Sequence, residues 1–146
     1  MRLFRCWLQT LKLRIYRRRI EKLLALHDRG EVRCDGLRLN RLRNRLELQW
    51  RARDVHPWDR TLSAERRAKA FLDQATADTE AVIERAFESM PQVDVIDLAV
   101  IDPASEVTII SGAVDRSVWA GMRSLRSARM RLMELGVRYC IPDDAA

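Results

Sequence analysis

Apolar residues recur at three- and four-residue spacing over the first thirty positions. Leu3, Phe4, Trp7, Leu8, Leu11, Ile15, Ile20, Leu23 and Leu24 mark one face of a helix. Arg2, Arg5, Lys12, Arg17, Arg18, Arg19 and Lys22 fall mainly beside or opposite that stripe, and Gly30 is placed to end the helix in a left-handed cap. At about 1.5 Å per residue such a helix reaches roughly 40 Å, long for a small domain. The spacing predicts a basic amphipathic helix over 1–30, ahead of an α+β domain over 31–146.

The period then drops to two. Leu37 and Leu39, then Leu46, Leu48, Trp50 and Ala52, alternate with polar residues including Glu47, Gln49, Arg51 and Arg53. That pattern predicts a β-hairpin over 32–53 with one packed and one wet face, turning through Asn40 to Asn44. Ser63 caps a second helix over 63–90, with Glu65 in its first turn and Pro91 as its stop. Its apolar face is Ala68, Phe71, Leu72, Ala75, Val82, Ile83, Ala86, Phe87 and Met90; Asp73, Asp78, Glu80, Glu84 and Glu88 supply the polar surface. A nearly continuous apolar run from Val93 to Ile101, the turn Asp102-Pro103-Ala104-Ser105 and the run Val107 to Val114 predict a second hairpin over 93–114. A third helix follows over 117–135, capped by Ser117, facing inward through Val118, Met122, Leu125, Leu132 and Leu135, and ended by Gly136. Val137, Tyr139 and Ile141 alternate as a last strand over 137–141. The order α–β–β–α–β–β–α–β implies an α+β fold, a small antiparallel sheet packed with helices behind the basic helix and first hairpin.

Size and composition narrow the class. The chain has 146 residues, 47% of them hydrophobic, with five Gly and four Pro, enough to bury a core and unlike a disordered or low-complexity chain. The longest uncharged run, Val107 to Val114, is far short of the roughly 20 residues a spanning helix needs. Cys6, Cys34 and Cys140 are odd in number and far apart, which argues against a disulfide scaffold or zinc site and for a reducing, cytoplasmic setting. Lys12 and Arg14 interrupt any signal-peptide apolar region. Charge is polarised: residues 1–30 hold nine basic and two acidic side chains, 31–60 eight and five, and 61–146 ten and fourteen. A basic front against an acidic back points to an anionic partner or to the two halves packing together.

Within residues 79–141, Val107-Thr108-Ile109-Ile110-Ser111-Gly112-Ala113-Val114 resembles the signature strand of the BON domain family, with Ile110, Gly112 and Val114 in its apolar, Gly and Val places. Gly136-Val137 resembles the Gly-Val that opens the family's final strand. The usual turn glycine is replaced by Asp102-Pro103-Ala104-Ser105-Glu106, and half of the chain has no counterpart. The resemblance implies a non-enzymatic α+β module that binds phospholipid surfaces or other proteins. Independently of kinship, a strand glycine at 112 permits a bulge or a close approach of the element that follows.

Catalytic chemistry is thinly represented. Glu84, Asp94, Asp97, Asp102 and Glu106 invite a metal-dependent nuclease reading, with Asp97 and Glu106 on one hairpin. No Lys follows Glu106, and an Asp inside so apolar a strand calls for an Arg partner on a neighbouring element. His56, between Asp54 and Asp59, reads as structural in its Pro-Trp loop, and His27 complements a helix end. No Gly-rich phosphate loop or nucleophile elbow is present, and no cofactor is expected. The strongest signal is the first helix, which matches interfacial docking on an anionic membrane surface or a protein partner through Arg2, Arg5, Trp7, Lys12, Arg17, Arg18, Arg19 and Lys22. An antiparallel pairing with the second helix, or a homo-oligomeric coiled coil, uses the same stripe. The alternative is nucleic-acid binding through residues 14–53, with Arg41, Arg43, Arg45 and Arg51 holding phosphates; a nuclease is a distant third.

Overall fold

The computed structural model describes residues 44–122 and 127–140, the backbone of 36–40, and Ile15 and Arg18, which are helical. The remainder of the expected basic helix and the hairpin turn 41–43 lie outside the described residues. Strand β1 (Gly36–Asn40) pairs antiparallel with β2 (Arg45–Arg51). A 3-10 turn (Pro57–Thr61) leads into helix α1 (Ala64–Ser89). Then come β3 (Val95–Ile101), β4 (Thr108–Asp115), α2 (Arg116–Gly121), α3 (Ala128–Glu134) and β5 (Arg138–Tyr139).

The strands form one sheet in the order β1-β2-β3-β4-β5. The α+β class holds, but the sheet is mixed where an antiparallel one was expected, because β2 and β3 run parallel. The cause is α1. A helix of 26 residues carries the chain back along the sheet before β3 begins, as a strand–helix–strand crossover requires, whereas the short turn between β3 and β4 reverses direction.

Alternation sets the core. Leu46, Leu48 and Trp50 on β2 lie in register with Ile96, Leu98 and Val100 on β3, and these with Val114, Gly112 and Ile110 on β4. Except for Gly112 all are buried, and Ala75, Thr79, Val82, Ile83, Ala86 and Phe87 of α1 are buried with them. The first turns of α1 run past the core, leaving Ala68 exposed and Phe71 and Leu72 half-buried. At Ile101 the β3–β4 register shifts, so that Ile109 is an extra residue on β4. This bulge lets two consecutive side chains, Ile109 and Ile110, both be buried.

Three polar devices lock the layers. Arg116 donates to the carbonyls of Val93 (2.7 Å), Phe87 (3.1 Å) and Met90 (2.7 Å), placing a cation on the C-terminal end of α1. Its guanidinium also lies 4.5 Å above the Phe87 ring. Arg53 grips Asp78 with two bonds of 2.7 and 2.8 Å at side chains only 11% and 10% exposed, so Asp78 is not the surface residue its helical position suggested. Gly112 allows the chain to close: a Cβ there would sit 2.9 Å from Val137 Cα. The glycine and the Gly136-Val137 pair picked out in the sequence therefore meet in space.

The expected helix over 117–135 is two helices. Asp115, rather than Ser117, caps α2 by accepting from the N–H groups of Ser117 (2.8 Å) and Val118 (3.4 Å). Ser127 has extended dihedrals and starts α3 afresh, which no continuous helix permits. Val118, expected to face inward, is 44% exposed, and Trp119 packs on the core in its place. Gly136, at φ +81°, ends α3 in a Schellman turn: its N–H reaches the Met133 carbonyl and that of Val137 reaches Leu132. Strand β5 is Arg138–Tyr139, with Val137 and Cys140 outside it, and Ile141 of the expected 137–141 lies outside the described residues.

Candidate functional site

The arginines proposed for phosphate contact divide into two sets. Arg41 and Arg43 lie outside the described residues. Arg45 donates through Nε (2.8 Å) and Nη2 to the Asp97 carboxylate, answering the need of that strand aspartate for an Arg partner. The same pairing holds the Arg45 guanidinium charged even more firmly than usual. Arg51 pairs with Glu106. Both project from the sheet face away from α1, and each is already held by a carboxylate of the β3–β4 hairpin. Of the eight residues assigned to docking, only Arg18 is described; it is helical and exposed, as is Ile15, which keeps 44% of its surface open.

The acidic residues that invited a nuclease are not brought together. Asp94 accepts from Asn44 (2.9 Å), and Asp102 accepts from its own turn at the Ala104 N–H (3.0 Å) and the Ser105 hydroxyl (2.6 Å). Among the described residues no three His, Cys, Asp or Glu side chains form a group able to hold a metal ion. His56 caps the 3-10 turn, its Nδ1 accepting from the Trp58 N–H at 3.3 Å.

Among the described residues, two open clefts stand out. One of about 430 Å³ lies among the helices, where Arg131 bonds Glu80 at 2.6 Å beside Glu84, Trp119 and Met122. The other, about 790 Å³, opens at the carboxyl ends of β2 and β3, the end of a parallel pair where α/β proteins place ligands. Val55, Ala68, Phe71, Leu72 and Ile109 make it largely apolar, and Asp54, Arg67, Asp102, Ser105 and Cys140 also line it. Both the bulge at Ile109 and the overhang of α1 beyond the core create this cleft. Its chemistry is burial of an apolar group.

The loop that supplies Asp54 and Val55 to the cleft also carries Trp58. Pro57 fixes the start of the 3-10 turn, the His56 cap closes it, and Gln74 donates to the carbonyls of Arg53 and Asp54 (both 3.3 Å), tying the loop to α1. On this rigid support Trp58 is 83% exposed, its ring stacked beside that of His56 at 6.4 Å. Arg66, Arg67 and Lys69 follow on the first turns of α1, all exposed. The sequence alone marked the loop as a break in periodicity and as the structural setting of His56. Its exposed indole depends on the turn geometry, which no local pattern reveals.

A search of known families, curated proteins and solved structures finds no match to this chain.

Proposed function

We propose that the protein is a non-enzymatic binding protein that docks on an anionic surface, foremost the headgroups of an anionic membrane, through its basic N-terminal helix. The observation that carries this reading is Ile15. It belongs to the apolar stripe and is 44% exposed, with Arg18 exposed in the same segment. The buried core among the described residues is drawn from Leu46 to Val137. An uncovered apolar residue next to exposed arginine is what an interfacial helix presents to a bilayer. The BON-like strand points the same way, toward a phospholipid surface or a protein. Nucleic-acid binding is less favoured, because Arg45 and Arg51 are already engaged with Asp97 and Glu106.

The test is co-sedimentation of the full chain with anionic vesicles. Replacing Arg17, Arg18 and Arg19 together by alanine removes three cations worth about 1 kcal/mol each near such a surface. Affinity is expected to fall more than about a hundredfold, and Ile15→Asp to weaken binding without changing the thermal melt. Unaltered binding by both variants contradicts the reading.

A further inference from the structure

We propose that Ile141 and Pro142, the two residues that follow Cys140, occupy the apolar cleft at the carboxyl ends of β2 and β3 and strap that end of the sheet shut. This contact is independent of the membrane reading above.

The course of the chain past β5 points there. β3 pairs antiparallel with β4, and β4 with β5, so β5 runs in the direction of β3 and ends where the cleft opens. Ladder bonding continues one residue beyond it: the Cys140 N–H donates to the Ile109 carbonyl at 2.8 Å, and both residues line the cleft. Ile141 precedes Pro142, and a proline ring disfavours helical backbone at the residue before it, so the extended course is kept. Period two then sets the side. Tyr139 lies opposite Ile110 and packs on the core that α1 covers, which directs Ile141 to that same face.

Spacing names the contact. The Tyr139 hydroxyl faces the side chain of Thr76 on α1. Because β2 and β3 are parallel, the connecting helix α1 runs opposite to β3 and therefore to β5. Two strand residues advance about 6.6 Å, close to the roughly 6 Å of four helix residues. Ile141 thus comes level with Leu72, which is half-buried and lines the cleft with Phe71. There an isoleucine side chain meets apolar surface that the core leaves part-covered. Whatever enters the cleft from outside must first displace it.

Methyl NOE spectra of the full chain test the contact. Cross-peaks from the Ile141 δ-methyl to the Leu72 methyls and the Phe71 ring are expected. Ile141→Ala is expected to lower the melting temperature by about 4 °C. In a Leu72→Ala background the same change should cost less than half as much, as for side chains in contact. Ile141→Asp is expected to raise binding of the neutral apolar dye Nile red severalfold below its melt, because the cleft is uncovered. Absence of the cross-peaks overturns the proposal whatever the variants do, and so does equal dye binding by wild type and Ile141→Asp. Cross-peaks seen only between differently labelled copies place a second chain in the cleft and overturn it as well.

Discussion

Arg116 shows how much one side chain organises here. Three carbonyls at the end of α1 and the start of β3 converge on its guanidinium, and charged hydrogen bonds of this kind are worth about 1.5–3 kcal/mol apiece before mutual dependence is considered. Arg116→Met is expected to destabilise the fold by about 3 kcal/mol in urea titration, and Arg116→Lys to recover only part of that, since a single ammonium cannot fork across three acceptors. Asp115, one residue earlier, gives a pH signature. Hydrogen bonds from the Ser117 hydroxyl, then from the backbone of Ser117 and Val118, hold its carboxyl below the ordinary range. A lowered folded value means the cap contributes fully above the ordinary carboxylate range and is lost as pH falls through the lowered value. Asp115→Asn keeps an acceptor and is expected to flatten that part of the stability profile between neutral pH and about pH 3. An unchanged acid limb contradicts the assignment.

Among the elements, β4 and the segment joining α3 to β5 are fitted through Gly112. A methyl group there meets the Val137 backbone at 2.9 Å, which cannot rotate aside. Gly112→Ala is expected to cost about 1–3 kcal/mol by thermal melt, more than the same change at Gly121, where nothing lies within 4 Å. At this scale the sequence was informative wherever a signal is local. Period two placed Leu46, Leu48, Trp50 and Ala52 in the core, period 3.6 placed Val82, Ile83 and Ala86 there, and Ser63 and Gly136 marked helix ends. It was silent wherever the partner is distant. The parallel pairing of β2 with β3, the extra residue Ile109, the Arg53–Asp78 grip and the break before Ser127 follow from how elements meet, which periodicity does not encode. For the candidate site the same division holds: Arg18 and Ile15 were picked out by spacing, whereas Trp58 became visible only once the turn that presents it was seen.

Across the whole molecule, the polarity of charge acquires a location. The acidic back half, residues 61–146, packs against residues 45–53, whose arginines its carboxylates bind: Asp97 to Arg45, Asp78 to Arg53 and Glu106 to Arg51, while Glu80 pairs with Arg131 within the back half. Part of the charge polarity is thus neutralised where the two parts pack on each other. The largest excess of positive charge in the sequence is that of residues 1–30, nine basic side chains against two acidic ones. The measurement that bears most directly on this account is the salt dependence of full-chain partition onto anionic against neutral vesicles. Binding confined to anionic lipid and weakening steeply as salt rises is the predicted result. Equal binding to neutral vesicles, or anionic binding indifferent to salt, contradicts it.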